Sequence, residues 1–232
     1  MKRKLAIFDI DGTIFRSSLV IQMVHRLVEN GMFPKEANEE IEQDYLAWLN
    51  RKGTYEKYIW QVVKIHLKYI GGCSVKKVEH IADQLIRDQK DRVYRFTRSL
   101  IADLRTKNYF LLALSGSPDY IVSAFAQAYH FDGSFGSTYL TNNGVFTGEG
   151  VSLKKQEVLS VFLREKINEI DPKDWIAVGD TKDDIPTLET VGQPIALNPD
   201  QGLAEYAKKK GWRIVVERKD VIYDMRAFDF VK

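Results

Sequence analysis

Five short apolar runs recur along the chain, and none alternates polar with apolar residues. They are Leu5 to Phe8, Tyr109 to Leu114, Trp175 to Val178, Pro194 to Leu197 and Arg213 to Val216, each closed by a polar or glycine-containing turn. Such runs suit strands covered on both faces, as in a parallel sheet. Helical stretches separate most of them. Asp119 to Tyr129 follows a start signal in which Ser117 caps and Pro118 takes the first helical position. Lys154 to Lys166 sets Val158, Leu159, Phe162 and Leu163 at helical spacing, and Asp200 to Lys210 runs into Gly211, a C-cap. Strands alternating with helices predict an α/β fold on a parallel sheet.

Two regions break this rhythm. Residues 16–91 hold no convincing strand and read as four helices: Leu19 to Asn30, Lys35 to Asn50, Tyr55 to Ile70 and Val75 to Gln89. Gly31-Met32-Phe33-Pro34, Lys52-Gly53-Thr54 and Gly71-Gly72 punctuate them. The expected organisation is a core of residues 1–15 and 92–232, with 16–91 inserted as a smaller all-helical domain. The second irregularity is Ser134 to Glu149, where Asn142-Asn143-Gly144 between β-rich triplets signals a hairpin.

Composition narrows the setting. With 232 residues the chain can form one ordinary domain and a small second one. A net charge of +2 gives no reason to expect nucleic acid or a membrane surface as partner. The single cysteine, Cys73, excludes a disulfide framework and a zinc site built on several thiolates, and fits a reducing cytosol. The first apolar stretch is broken by Asp9, and no run approaches the ~20 residues needed to span a bilayer. A cytoplasmic protein is expected; its oligomeric state is left open.

Four segments can carry chemistry. Phe8-Asp9-Ile10-Asp11-Gly12-Thr13 places two carboxylates just past an apolar strand, where open α/β sheets bind ligands. One could serve as nucleophile or metal ligand and the other as acid and base; the plainer reading is an Asp-rich turn. Ser115-Gly116-Ser117-Pro118 pairs a hydroxyl with free N–H groups at a helix start, a phosphate cradle or a simple cap. Gly179-Asp180-Thr181-Lys182-Asp183-Asp184 offers oxygen ligands for Mg²⁺, or an acid-rich helix start favoured by the dipole. Lys154-Lys155 also opens a helix, an unfavourable place for a cation unless one lysine reaches a phosphate. Their order along the chain suggests one assembled phosphoryl-transfer site.

With these segments in this order, the chain resembles the haloacid dehalogenase-like (HAD) hydrolase superfamily, over a core of roughly 155 residues. The stretch Gly179 to Glu189, followed by Val191 to Asp200 and Gly211-Trp212, is similar to subfamily IB hydrolases, which include phosphoserine phosphatases. The resemblance implies a Rossmann-like core with a C1-type helical cap. It implies that Asp9 is a nucleophile forming an aspartyl-phosphate, and Asp11 the general acid/base. Ser115 and the Gly116 N–H would hold phosphoryl oxygens. Lys155 would neutralise charge, four residues before Leu159 as in the family. Mg²⁺ would be held by Asp9, Asp180 and the main-chain carbonyl of Asp11, with Asp184 rather than Asp183 supporting the metal loop.

The cap departs from the phosphoserine enzymes. Ser18 stands where they carry a glutamate for the substrate amine, and Trp60 where they carry an arginine for its carboxylate. An amino-acid zwitterion would therefore lack both charge partners. Instead the cap is rich in aromatics, Tyr45, Trp48, Tyr55, Tyr58, Trp60 and Tyr69, which either enclose a leaving group or form the cap's own core. Arg16 and Arg87, near the cap hinges, are candidates for a second substrate charge. The expected function is Mg²⁺-dependent hydrolysis of a small phosphomonoester. The alternatives are a phosphotransferase or mutase with the same intermediate, and a silent phosphate-ligand sensor.

Overall fold

The computed structural model describes residues 2–166 and 168–225. The strands are β1 (Arg3–Phe8), β2 (Phe110–Pro118), β3 (Gly133–Asn142), β4 (Val145–Val151), β5 (Ile170–Gly179), β6 (Gln193–Leu197), β7 (Arg213–Arg218) and β8 (Val221–Met225). They form one sheet in the order β4-β3-β2-β1-β5-β6-β7-β8. The five apolar runs are five adjacent parallel strands of that sheet, β2, β1, β5, β6 and β7. Their lack of alternation has a direct cause. Ala6 and Phe8 point into one buried cluster, while Leu5 and Ile7 point into the cluster on the other face. On β2, Leu111 and Ala113 face one way and Phe110, Leu112 and Leu114 the other.

Between β1 and β2 come α1 (Leu19–Glu29), α2 (Glu36–Leu49), α3 (Tyr55–Ile70), α4 (Val75–Gln89) and α5 (Arg95–Thr106). Thr54 caps α3, its hydroxyl accepting from the Lys57 N–H at 3.2 Å. The remaining helices are α6 (Asp119–Ala128), α7 (Lys155–Glu165), the short α8 (Ile185–Leu188) behind a 3-10 turn at Lys182–Asp184, and α9 (Gln201–Lys210). Asp200 caps α9 through the Leu203 N–H at 2.7 Å, and Gly211 ends it at φ +68°. Helix α5 and strand β8 carry no signal among the expected elements.

Ser117 does not cap α6. Strand β2 runs on through Pro118, which takes the N-cap position, and the Ser117 hydroxyl turns across the molecule to Asp11.

The Asn-Gly hairpin is β3–β4, with Asn143 at φ +50° and Gly144 at φ +79°, the signs a type I′ turn requires. It grips the α3–α4 junction. The Gly72 N–H donates to the Phe146 carbonyl at 2.8 Å, the Phe146 N–H to Cys73 at 3.0 Å, and the Val75 N–H to Gly144 at 3.0 Å. Helices α1 to α4 share one apolar cluster with β1, β2 and α6. Among the described residues, no helix is long and apolar enough to cross a membrane.

Candidate active site

The parallel strands β2, β1 and β5 are neighbours, so the segments following their carboxyl ends converge. Asp9 follows β1 directly, and its N–H extends the ladder to the Val178 carbonyl at 3.0 Å. One carboxylate oxygen, Oδ1, accepts from Lys155 Nζ at 2.6 Å. The other, Oδ2, is buried with no hydrogen-bond partner among the described residues. Lys155, the first residue of α7, donates equally to Asp184 Oδ1 at 2.6 Å. Lys154 instead pairs with exposed Glu157, so only the second lysine reaches the site.

Asp184 is fixed from several sides. Its Oδ2 accepts from the Asp180 N–H at 3.1 Å, the Thr181 N–H at 3.1 Å and the Thr181 hydroxyl at 3.3 Å. Asp180 Oδ1 accepts from the Thr13 hydroxyl at 3.1 Å. Asp9, Asp180 and Asp184 each bring a carboxylate oxygen within 4.8 Å of the others. Asp183 is exposed.

The electrostatics follow from burial. Burial pushes the Asp9 carboxyl above the usual range against the pull of Lys155, with Asp184 and Asp11 adding to the rise. Burial, then Asp9 and Asp184, raise Asp180 likewise. Burial alone would lower Lys155, but Asp184 and Asp9 outweigh it and hold the ammonium charged. With all three carboxylates ionised (−3) beside the one ammonium (+1), the cluster would carry −2, the charge that a divalent cation offsets. The partnerless Asp9 Oδ2 is the second observation that fits such an ion.

Asp11 stands outside this cluster. Its Oδ1 accepts from the Leu19 N–H, capping α1 where Ser18 makes no side-chain cap. Its Oδ2 accepts from the hydroxyls of Ser115 at 2.6 Å and Ser117 at 2.8 Å. Ser115 is fully buried, whereas Gly116 beside it is exposed and an added Cβ there would meet open space.

A cleft of about 760 Å³ runs from Gly12 and Asp180 into helices α1 to α3. Arg16 lines it, its guanidinium lying 5.6 Å from the centre of the Tyr94 ring. Tyr45, Trp48, Tyr55 and Tyr58 also line it; Tyr69 does not, being held by Glu40 and Phe33. Burial first, then Asp11 and Asp180, hold the Tyr55 phenol far above its ordinary range, and Tyr55 shares the cleft lining with Asp180. Two specificity candidates fall elsewhere: Ser18 is buried outside the lining, and Trp60, 52% exposed, lies on the outer side of α3. Tyr94 and Asn198 join the lining unannounced. Asn198 follows the end of β6 at φ +45°, the same kind of strand-end position as Asp9 and Asp180, and Asn-Pro there is a readable signal.

A family model described as haloacid dehalogenase-like hydrolase matches residues 6–189. Phosphoserine phosphatase of Mycobacterium tuberculosis is 25% identical, the match covering 90% of this chain and 69% of that protein. Histidinol-phosphatase of Neisseria meningitidis is 24% identical, covering 92% of this chain and 98% of that one. Among solved structures, a protein of unknown function from Bordetella pertussis aligns with a TM-score of 0.73 at 21% identity, covering 92% of this chain and 98% of that chain. A phospho-aspartyl intermediate analogue of phosphoserine phosphatase aligns at 0.62 and 22% identity, covering 95% and 96%. At these identities the structural likeness speaks for the fold.

Proposed function

The chain belongs to the haloacid dehalogenase-like hydrolase family, and from that membership we propose that it is a phosphatase acting on a small phosphomonoester through Asp9. The observation that carries this reading is the buried Asp9 carboxylate, tied to Lys155 on one oxygen and partnerless on the other. The curated relatives named for phosphatase activity support it.

Asp9 and Asp180, with the main chain of Asp11, are the residues we assign to Mg²⁺. When bound, that ion offsets the charge of the phosphate dianion and the carboxylates around it. Lys155 supplies the other positive charge and orients Asp9. In the first step the Asp9 carboxylate bonds phosphorus as the bond to the leaving alcohol oxygen breaks. Asp11 gives its proton to that oxygen. Water then attacks the aspartyl-phosphate, Asp11 takes back a proton, and inorganic phosphate leaves with Asp9 restored.

Ser115 has two duties in this scheme. In this structure its hydroxyl donates to Asp11; with substrate present it donates to a phosphoryl oxygen, which releases Asp11 to face the leaving group. We assign residues 16–91 as a cap over the site. The Lys182–Glu56 pair, 2.9 Å apart, joins α3 to the loop that carries Asp180.

Phosphate release from a broad panel of phosphomonoesters, with Mg²⁺, with EDTA and in Asp9→Asn, tests the proposal. Mg²⁺-dependent release that vanishes in the variant supports it. Release that survives the substitution rules out Asp9 as nucleophile. Transfer to added alcohols in place of water would show a phosphotransferase.

A further inference from the structure

Gly12 and Asp180, the latter beside Asp9 and Asp184, mark one end of the cleft, and the other end has a different character. Helix α2 buries only Ala37 and Ile41, yet turns a long stripe toward the cleft. Of its acidic residues, those facing α3 are neutralised: Glu40 by Lys68 at 2.7 Å, and Asp44 by Lys57 at 2.6 Å. Glu39 and Glu42 line the cleft, and among the described residues neither has an ion-pair partner. One helix therefore balances the charges on its packed side and leaves them unbalanced on its cleft side.

Beside these carboxylates lies a continuous aromatic wall. Trp48 stacks on Tyr58 with ring centres 6.0 Å apart and planes at 10°. Tyr45 meets Tyr58 at 5.4 Å, and Tyr55 meets Trp48 at 5.2 Å. The wall runs from Tyr55, which lines the cleft together with Asp180, outward to Tyr45, which is 38% exposed. Aromatic faces next to unpaired carboxylates favour a cation and disfavour a second anion. The cleft's one arginine, Arg16, precedes α1 and shares the Gly12–Asp180 end, where a phosphate's charge sits.

We propose that the leaving group is an ammonium-bearing alcohol without a carboxylate, its cation lodged between Glu39, Glu42 and the Tyr45–Trp48–Tyr58 wall. The inference rests on the phosphatase reading and extends it to the substrate class. The substrate is then dipolar, its phosphate at the Lys155 end and its cation at the α2 end. An amino-acid phosphate has the cation as well, but brings a carboxylate into a field that repels it.

Two measurements separate this inference from the reading beneath it. In the first, calorimetric titration of Asp9→Asn protein compares phosphoethanolamine, phosphocholine, phosphoserine and glycerol phosphate. The cationic esters are expected to bind about tenfold more tightly than the other two, the scale of one well-placed cation contact. In the same background, Glu39→Gln with Glu42→Gln removes most of that preference; both positions are exposed, so the fold tolerates them. Phosphoserine or glycerol phosphate binding as well as phosphocholine overturns the inference, and so does a preference that survives the double substitution. The second measurement is turnover of p-nitrophenyl phosphate by the unaltered protein. Failure there, and on every other ester, overturns the phosphatase reading, and the binding order alone then decides the charge of the ligand.

Discussion

Gly12 and Asp180 are packed so closely that a Cβ on Gly12 would lie 2.0 Å from Asp180 Oδ2. Gly12 also holds φ +80°, a conformation that costs other residues about 1–2 kcal/mol. The loop after the first strand and the loop that carries the acid cluster therefore meet through a side chain that is absent. Gly12→Ala must push Asp180 from its place beside Thr13. A displacement near 1 Å at such a site costs on the order of 100-fold in turnover. Steady-state kinetics checks this, and near-normal turnover would show that Asp180 is free to relocate.

Lys155 is the one cation shown paired within the acid cluster. Lys155→Met leaves the acid groups buried without it, and breaking a buried pair costs about 3–5 kcal/mol. Turnover is expected to fall at least ~100-fold as the oriented charge on Asp9 is lost. The variant's melting temperature should fall in EDTA and rise more on adding Mg²⁺ than that of the unaltered protein, because the cluster is then more negative. An equal Mg²⁺ response in both proteins would contradict that charge balance.

In the proposed mechanism Ser117 acts only through Asp11, to which its hydroxyl donates at 2.8 Å. It is a positioning residue. Ser117→Ala should lower kcat about tenfold with KM little changed, the loss of one charge-assisted hydrogen bond. Ser117→Thr keeps the hydroxyl and should restore most of it. A loss that appears in KM alone would point to a role in substrate binding instead.

His66 provides a pH test away from the site. It is fully buried between α3 and the hairpin, with Nε2 2.8 Å from the Tyr120 hydroxyl and Nδ1 partnerless among the described residues. Burial pushes its pKa down from the usual 6.5 to about 3. Below about pH 6.5 the unfolded chain takes up a proton that the folded chain refuses, so stability falls as pH drops toward 3. The slope from this group is about 1.4 kcal/mol per pH unit. His66→Gln should lose less stability than the unaltered protein between about pH 7 and about pH 5, read as urea midpoints. Parallel losses would mean that His66 is not the group responsible.

Much of this architecture is written locally. Thr54 and the Gly71-Gly72 pair bound α3 at Tyr55–Ile70, as the spacing predicts. The five strand cores are legible because both faces are buried. Arg95–Thr106 is not, since its inward face is only Thr97, Ile101 and Leu104 among several charges. Strand β8 escapes for the opposite reason: it is an edge strand with Val221, Ile222 and Tyr223 exposed. Asp9, Asp11, Lys155 and Asp180 are prominent because each opens or closely follows an element, and Ser115 because it precedes the Gly-Ser-Pro turn signal. What each side chain faces is set at long range. Ser117 reads as a cap because its partner Asp11 lies 106 residues away. Trp60 and Tyr58 are equally aromatic, and only the packing of α2 on α3 turns Tyr58 inward and leaves Trp60 out. Asp184 reads as loop support, yet folding also gives it a share of Lys155.

The most direct test of the central claim is the site of covalent phosphate. Protein turning over p-nitrophenyl phosphate with Mg²⁺ is quenched in acid, digested, and mapped by mass spectrometry. A phosphoryl group is expected on the peptide Leu5 to Arg16, located at Asp9 and absent from Asp9→Asn protein. Phosphate on Ser115 or Ser117, or labelling that persists in Asp9→Asn, would contradict it.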